Sequence, residues 1–113
     1  MAAIMNVLVK EDDVLFGRRL KNARERVGVS QRQLGFRIGL DPAGASTRIN
    51  RYERGTRAPA FDIVRTIAIE LGVPPSFFYE PDDTLAEIVL LLGRMDVAGR
   101  EALLEKLRRG LDV

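Results

Sequence analysis

The sequence predicts an all-α protein, a bundle of short helices carrying one or two further helices in a C-terminal extension. Three observations lead there. From Val14 onward apolar residues recur at spacings of three and four, the period of an amphipathic helix. Glycines at positions 28, 39, 55 and 72 stand where the successive periodic runs stop, as helix-ending residues do. The one β-branched run, Ile4 to Val9, lies outside the periodic stretches.

Residues 1–13 form an N-terminal arm, an apolar run followed by the acidic "EDD". Either it pairs as a strand with its own copy in a dimer or it stays a tail. From Val14 to Arg26, Leu15, Phe16, Leu20 and Ala23 fall on one side of a helix, with Arg18, Arg19, Lys21 and Arg26 elsewhere. Ser30 is a good N-cap for a second helix, Gln31 to about Ile38, with Leu34 and Ile38 inward. The third helix has two possible starts: Asp41 as cap with Pro42 in the first turn, or Ser46 as cap after a Pro/Gly loop. Either start leaves the same face inward. Counted at about 100° per residue from Ile49, Ala45, Tyr52 and Glu53 lie beside it, while Thr47, Asn50, Arg51 and Arg54 point outward.

Gly55 caps that helix and "TRAP" makes a basic loop ending at Pro59. A fourth helix follows in "FDIVRTIAIELG", with Ile63, Ile67 or Ala68, and Leu71 in register. A short helical turn then brings Phe77 and Phe78 to the core. The prolines and acids around Pro81 mark the end of this unit, so residues 14–81 are read as one domain and 82–113 as an extension. In the extension Asp82 and Asp83 cap a helix beginning near Leu85. Leu85, Ile88, Leu92 and Met95 repeat at 3-4-3, and Leu104, Leu107 and Leu111 at 3-4, with Gly93 and Gly99 flanking a break. Such a pair of helices needs an apolar surface to cover it. A second copy of the chain is the expected occupant, and packing back on the same domain is the other.

At 113 residues and 46% apolar composition, the chain suits one domain with an appendage. The net charge of +2 hides a division: residues 1–57 hold 12 Lys/Arg against 6 Asp/Glu, and residues 58–113 hold 6 against 10. A basic front suits a polyanion. The sequence has no cysteine and no histidine, which removes disulfides, Cys/His zinc sites and His-dependent catalysis. No phosphate-cradling glycine loop or nucleophile–base pair occurs either, so no catalytic residue, metal or cofactor is expected. The apolar runs fall short of the roughly 20 residues that span a membrane, and a cytoplasmic protein is expected.

The stretch Ser30–Pro59 thus reads as two short helices joined by a turn and closed by a basic loop, the arrangement that lays a helix in the major groove of DNA. Its motifs "SQRQLGFRIGL" and "INRYERGTRAP", followed by "IAIELGV", resemble those of the lambda-repressor-like, or Xre-type, helix-turn-helix family over about residues 15–80. The resemblance implies a five-helix bundle. It also implies roles by position: Ser46, Thr47, Asn50 and Arg51 on base edges, and Gln31, Arg48, Arg54 and Arg57 on phosphates, Gln31 also bracing the third helix. Arg24 and Glu53 match positions where the family forms an ion pair that fixes the recognition helix. Between Leu40 and Ser46 the chain departs from the family with about four extra residues.

The expectation is a sequence-specific regulator, a repressor, bound to double-stranded DNA as a homodimer on a palindromic operator with half-sites about 34 to 36 Å apart. The rival is a protein-interaction module or antitoxin-type protein on the same fold, whose leucine-rich tail binds a cognate protein partner.

Overall fold

The computed structural model describes residues 10–113, which fold into six α-helices and one 3-10 turn with no strand among them. The helices are α1 (Glu11–Val27), α2 (Gln31–Arg37), α3 (Ala45–Arg54), α4 (Phe61–Leu71), α5 (Asp83–Arg94) and α6 (Val97–Leu111), with the 3-10 turn Pro75–Tyr79 between α4 and α5. The strand-or-tail alternative for Ile4 to Val9 lies outside the described residues.

Helix α1 begins three residues before the expected Val14. Glu11, Asp12 and Asp13, read as part of the arm, form its first turn, where carboxylates oppose the partial positive charge of the helix end. At its other end Gly28 takes the left-handed conformation at φ 82°, and the glycines at 39, 55 and 72 do the same where their segments stop. Ser30 caps α2 with its side chain on the Gln33 amide, and Gln33 reaches back to the Ser30 amide, a reciprocal capping box.

The start of α3 matches neither expected alternative. Asp41 caps no helix: its Oδ1 accepts from the Ala43 amide at 2.9 Å and its carbonyl from the Gly44 amide at 3.0 Å, so Asp41–Gly44 closes as a separate turn. Helix α3 opens at Ala45, with Gly44 before it and no side-chain cap. Ala45 is buried against α2 at Gly35, where a methyl group would come within 2.7 Å of the Ala45 Cβ. That close fit, more than a cap, sets where α3 begins.

The core joins Phe16, Leu20 and Ala23 of α1, Leu34 of α2, Ile49 and Tyr52 of α3, Val64, Ile67, Ala68 and Leu71 of α4, and Phe77 and Phe78 of the 3-10 turn. Phe16 and Phe78 meet with ring centroids 5.1 Å apart. Helix α1 lies directly on the end of α3, since a Cβ on Gly17 would overlap the backbone carbonyls of Tyr52 and Glu53.

Two findings change the reading of the extension. Packing does not stop at Pro81: Ala86 and Leu90 of α5 are buried in the same core. And Arg19, read as lying off the apolar side of α1, is only 8% exposed. Its Nε and Nη2 donate to the Glu80 carbonyl at 3.0 and 2.7 Å, Nη2 also to the Pro81 carbonyl at 3.2 Å, and Nη2 stands 2.9 Å from an Asp83 carboxylate oxygen. The guanidinium also sits over the Phe77 ring. The carbonyls just before α5 are thereby tied to α1. At the far side of the same contact Arg26 donates through both Nη atoms to the Glu87 carboxylate, at 3.1 and 2.7 Å.

Helix α6 differs from all of these. Asp96 caps it through the Gly99 amide at 2.7 Å, yet none of its residues is buried. Leu104, Leu107 and Leu111 are exposed, as are Leu85, Ile88 and Met95 of the preceding segment, with Leu92 half-buried. No helix among the described residues is long and apolar enough to cross a membrane.

Candidate nucleic-acid interface

Helix α3 sorts its residues by face as the periodicity requires. Ala45, Ile49 and Tyr52 are buried, and Ser46, Thr47, Arg51 and Arg54 are exposed. Asn50 and Arg48 are intermediate. The one acid in α3, Glu53, is turned inward with its side chain 4% exposed, which leaves the outward face with arginines and hydrogen-bonding side chains and no carboxylate of its own.

Glu53 is held by two residues through three hydrogen bonds. Arg24 of α1 donates through Nε to Oε2 at 2.6 Å and through Nη2 to Oε1 at 3.0 Å, and Gln31 of α2 donates through Nε2 to Oε1 at 3.2 Å. Arg24 also donates through Nη1 to the Val29 carbonyl at 2.9 Å. The hydrogen bond to Glu53 raises the Arg24 pKa against the opposing effect of burial. One carboxylate therefore joins the ends of α1, α2 and α3. Its use is geometric, because desolvation offsets most of the attraction in a buried pair.

Thr47, Arg48 and Arg51 come together on a concavity of about 280 Å³, completed by Leu40, Asp41 and Gly44 of the α2–α3 turn. Gln31, Ser46, Asn50, Arg54 and Arg57 are not part of it. Gln31 stands at the N-terminus of α2, and Arg54 lies in the last turn of α3. Arg57 is exposed in the loop that follows. That loop is fastened back to the helix by Thr56, whose amide and hydroxyl both donate to the Arg51 carbonyl, at 3.1 and 3.3 Å.

Sequence reasoning missed the contacts of three residues, Thr56 and Tyr52 at this surface and Arg19 where α1 meets the segment before α5. Arg19 was set aside for its charge, although its helical angle, three residues after Phe16 and four before Ala23, places it on the inward arc. Thr56 gave a signal only in hindsight of the loop it closes. Tyr52 was taken as core, yet its hydroxyl accepts from Arg48 Nε at 3.0 Å.

Comparison with known proteins bears on the fold and the family. The helix-turn-helix family model matches residues 20–78. An uncharacterized HTH-type transcriptional regulator of Sinorhizobium medicae is 34% identical over 68 residues, 60% of this chain and 46% of that protein. Another, from Sinorhizobium fredii, is 34% identical over 74 residues, 64% of this chain and 49% of that protein. The chain thus spans about half the length of the curated relatives it matches. The crystal structure of transcriptional regulator BswR is similar at a TM-score of 0.77 and 38% sequence identity, over 82% of this chain and 92% of that one. Residues 1–78 alone could not supply that coverage, so the similarity reaches into the extension.

Proposed function

The chain belongs to the lambda-repressor-like helix-turn-helix family of transcriptional regulators, and from that premise we propose that it is a repressor which binds a palindromic operator as a homodimer. Each protomer lays α3 in the major groove. The observation that carries the reading is the outward face of α3: Thr47, Arg51 and Arg54 exposed beside Arg48, on a helix whose single carboxylate is turned away and paired.

In this reading Thr47 and Arg51 meet base edges, with Ser46 and Asn50 at the margins. Arg51 is the principal reader, because a guanidinium bonds guanine O6 and N7 together. Arg48, Arg54 and Arg57 hold phosphates. Gln31 adds an amide at the N-terminus of α2, where the helix dipole favours an anion. Such work belongs in the compartment that holds DNA. Selection of bound duplexes from a random pool tests binding, symmetry and half-site spacing together. Enriched sites with a twofold axis and half-sites about one helical turn apart support the proposal; a pool that stays random rejects it.

The second copy is expected to pair through the apolar residues left uncovered on the extension, Leu85, Ile88, Leu92 and Met95 with Leu104, Leu107 and Leu111. The same exposed leucines favour one other reading, a cognate protein partner seated there. Sedimentation of the purified chain separates the two. A dimer at micromolar concentration supports self-association, and a monomer that pairs only with another protein supports the rival.

A further inference from the structure

Arg48 and Tyr52 stand one turn apart on α3, and their contact links the core to the outward face. Tyr52 is 1% exposed, so its ring serves packing, a task phenylalanine would also perform. Its hydroxyl does something else: it accepts from Arg48 Nε at 3.0 Å. Arg48 is half-buried at the wall of the concavity it shares with Thr47 and Arg51. An arginine has five N–H donors in a fixed plane. With Nε engaged by the phenol, the four N–H groups on the two Nη atoms remain for a ligand, and the plane they lie in is already oriented.

We infer that Tyr52 is a positioning residue for DNA recognition, its buried hydroxyl holding the Arg48 guanidinium ready for a phosphodiester group at the edge of the concavity. The inference rests on the DNA-binding reading above and deepens it. A long side chain ordered before binding loses less freedom on binding, and affinity gains accordingly. The contribution passes through Arg48 and through nothing else, which makes it separable.

The test is a double-mutant cycle on affinity for the duplex that the wild-type chain selects from a random pool, with thermal unfolding of each variant measured alongside. Tyr52→Phe keeps the ring and removes the hydroxyl. It should weaken binding roughly two- to tenfold, the fold-change that corresponds to one net hydrogen bond. In an Arg48→Ala background the same substitution should cost no further affinity. Arg48→Lys keeps the charge and loses the Nε–H, so it should weaken binding by a similar factor with Tyr52 intact, whatever the stability of the phenylalanine variant. Equal losses from Tyr52→Phe in both backgrounds, or full affinity in either Tyr52→Phe or Arg48→Lys, overturns the inference while leaving DNA binding standing. A wild-type chain that selects no duplex overturns the DNA-binding reading itself.

Discussion

Helices α3 and α6 are both amphipathic, and their apolar faces meet opposite fates. In α3 Ala45, Ile49 and Tyr52 are sealed into the core, and the polar face is what the molecule shows. In α6 no residue is buried, and Leu104, Leu107 and Leu111 stand in solvent. The first helix is finished by its own chain, held at Glu53 by Arg24 and Gln31. The second is left uncovered among the described residues. Helix α5 falls between them, one side sunk into the bundle through Ala86 and Leu90 and the other carrying exposed Leu85 and Ile88. This exposed apolar stripe is the surface on which the proposed association rests.

Truncation sharpens this contrast most. A chain cut after Asp83 loses Ala86 and Leu90 and should unfold far below the full-length protein, since removing the Leu90 side chain alone is expected to cost about 2 to 5 kcal/mol. A chain cut after Asp96 keeps both and should stay folded, melting well above the shorter truncation. Equal thermal stability of the two truncations would place the edge of the cooperative unit at Pro81 after all. Single substitutions repeat the comparison on a smaller scale. Ile49→Ala should destabilise by about 2 to 5 kcal/mol, whereas Leu107→Ala should change monomer stability by under about 0.5 kcal/mol and act on association instead. Chemical denaturation and sedimentation of both variants distinguish these effects.

The outward face of α3 should divide in turn. Arg51→Ala is expected to cost about 1 to 3 kcal/mol on the selected operator and to relax preference at one base position. Loss of affinity with every base preference retained would reassign Arg51 to a phosphate contact. Arg57→Ala should weaken selected and unrelated duplexes alike and lower the slope of log affinity against log salt by roughly one unit; a loss confined to the operator would make it a base reader.

The smallest effect belongs to the Arg26–Glu87 pair that fastens α5 to α1. The hydrogen bond from Arg26 holds the Glu87 carboxyl below its ordinary pKa. A group depressed in the folded state stabilises above its unfolded pKa, and that contribution disappears as pH falls through the folded value. The melting temperatures of wild type and Glu87→Gln should therefore differ slightly near neutrality, and the difference should shrink once pH falls below the ordinary glutamate pKa of about 4.3 and vanish below the lowered folded value. A difference that persists there would mean the side chain acts through packing.

Much of this was legible in the sequence, and the omissions share a cause. Periodicity gave the inward set Leu20, Leu34 and Leu71, because burial selects apolar residues at helical spacing. The Arg24–Glu53 contact followed from the family resemblance. What periodicity could not give was any contact whose reason lies in another segment. Arg19 is buried because the Glu80 and Pro81 carbonyls need donors, and those carbonyls are more than 60 residues away. Helix α3 starts at Ala45 because Gly35 leaves room for its methyl group, whereas Asp41 and Ser46 were judged only as local caps. For α5 the proline and acidic residues signal a boundary locally and leave open whether it pairs with a second copy or packs back, because the core that Ala86 and Leu90 enter is made by elements earlier in the chain.

Position 17 carries this dependence to its limit. The Tyr52 and Glu53 carbonyls occupy the space where any side chain there would begin. The distance between α1 and α3 is thus set by an absent carbon atom. Alanine at this point would have to wedge the two helices apart, and because α3 moves as one body its outward arginines would shift with it, although none of them touches position 17.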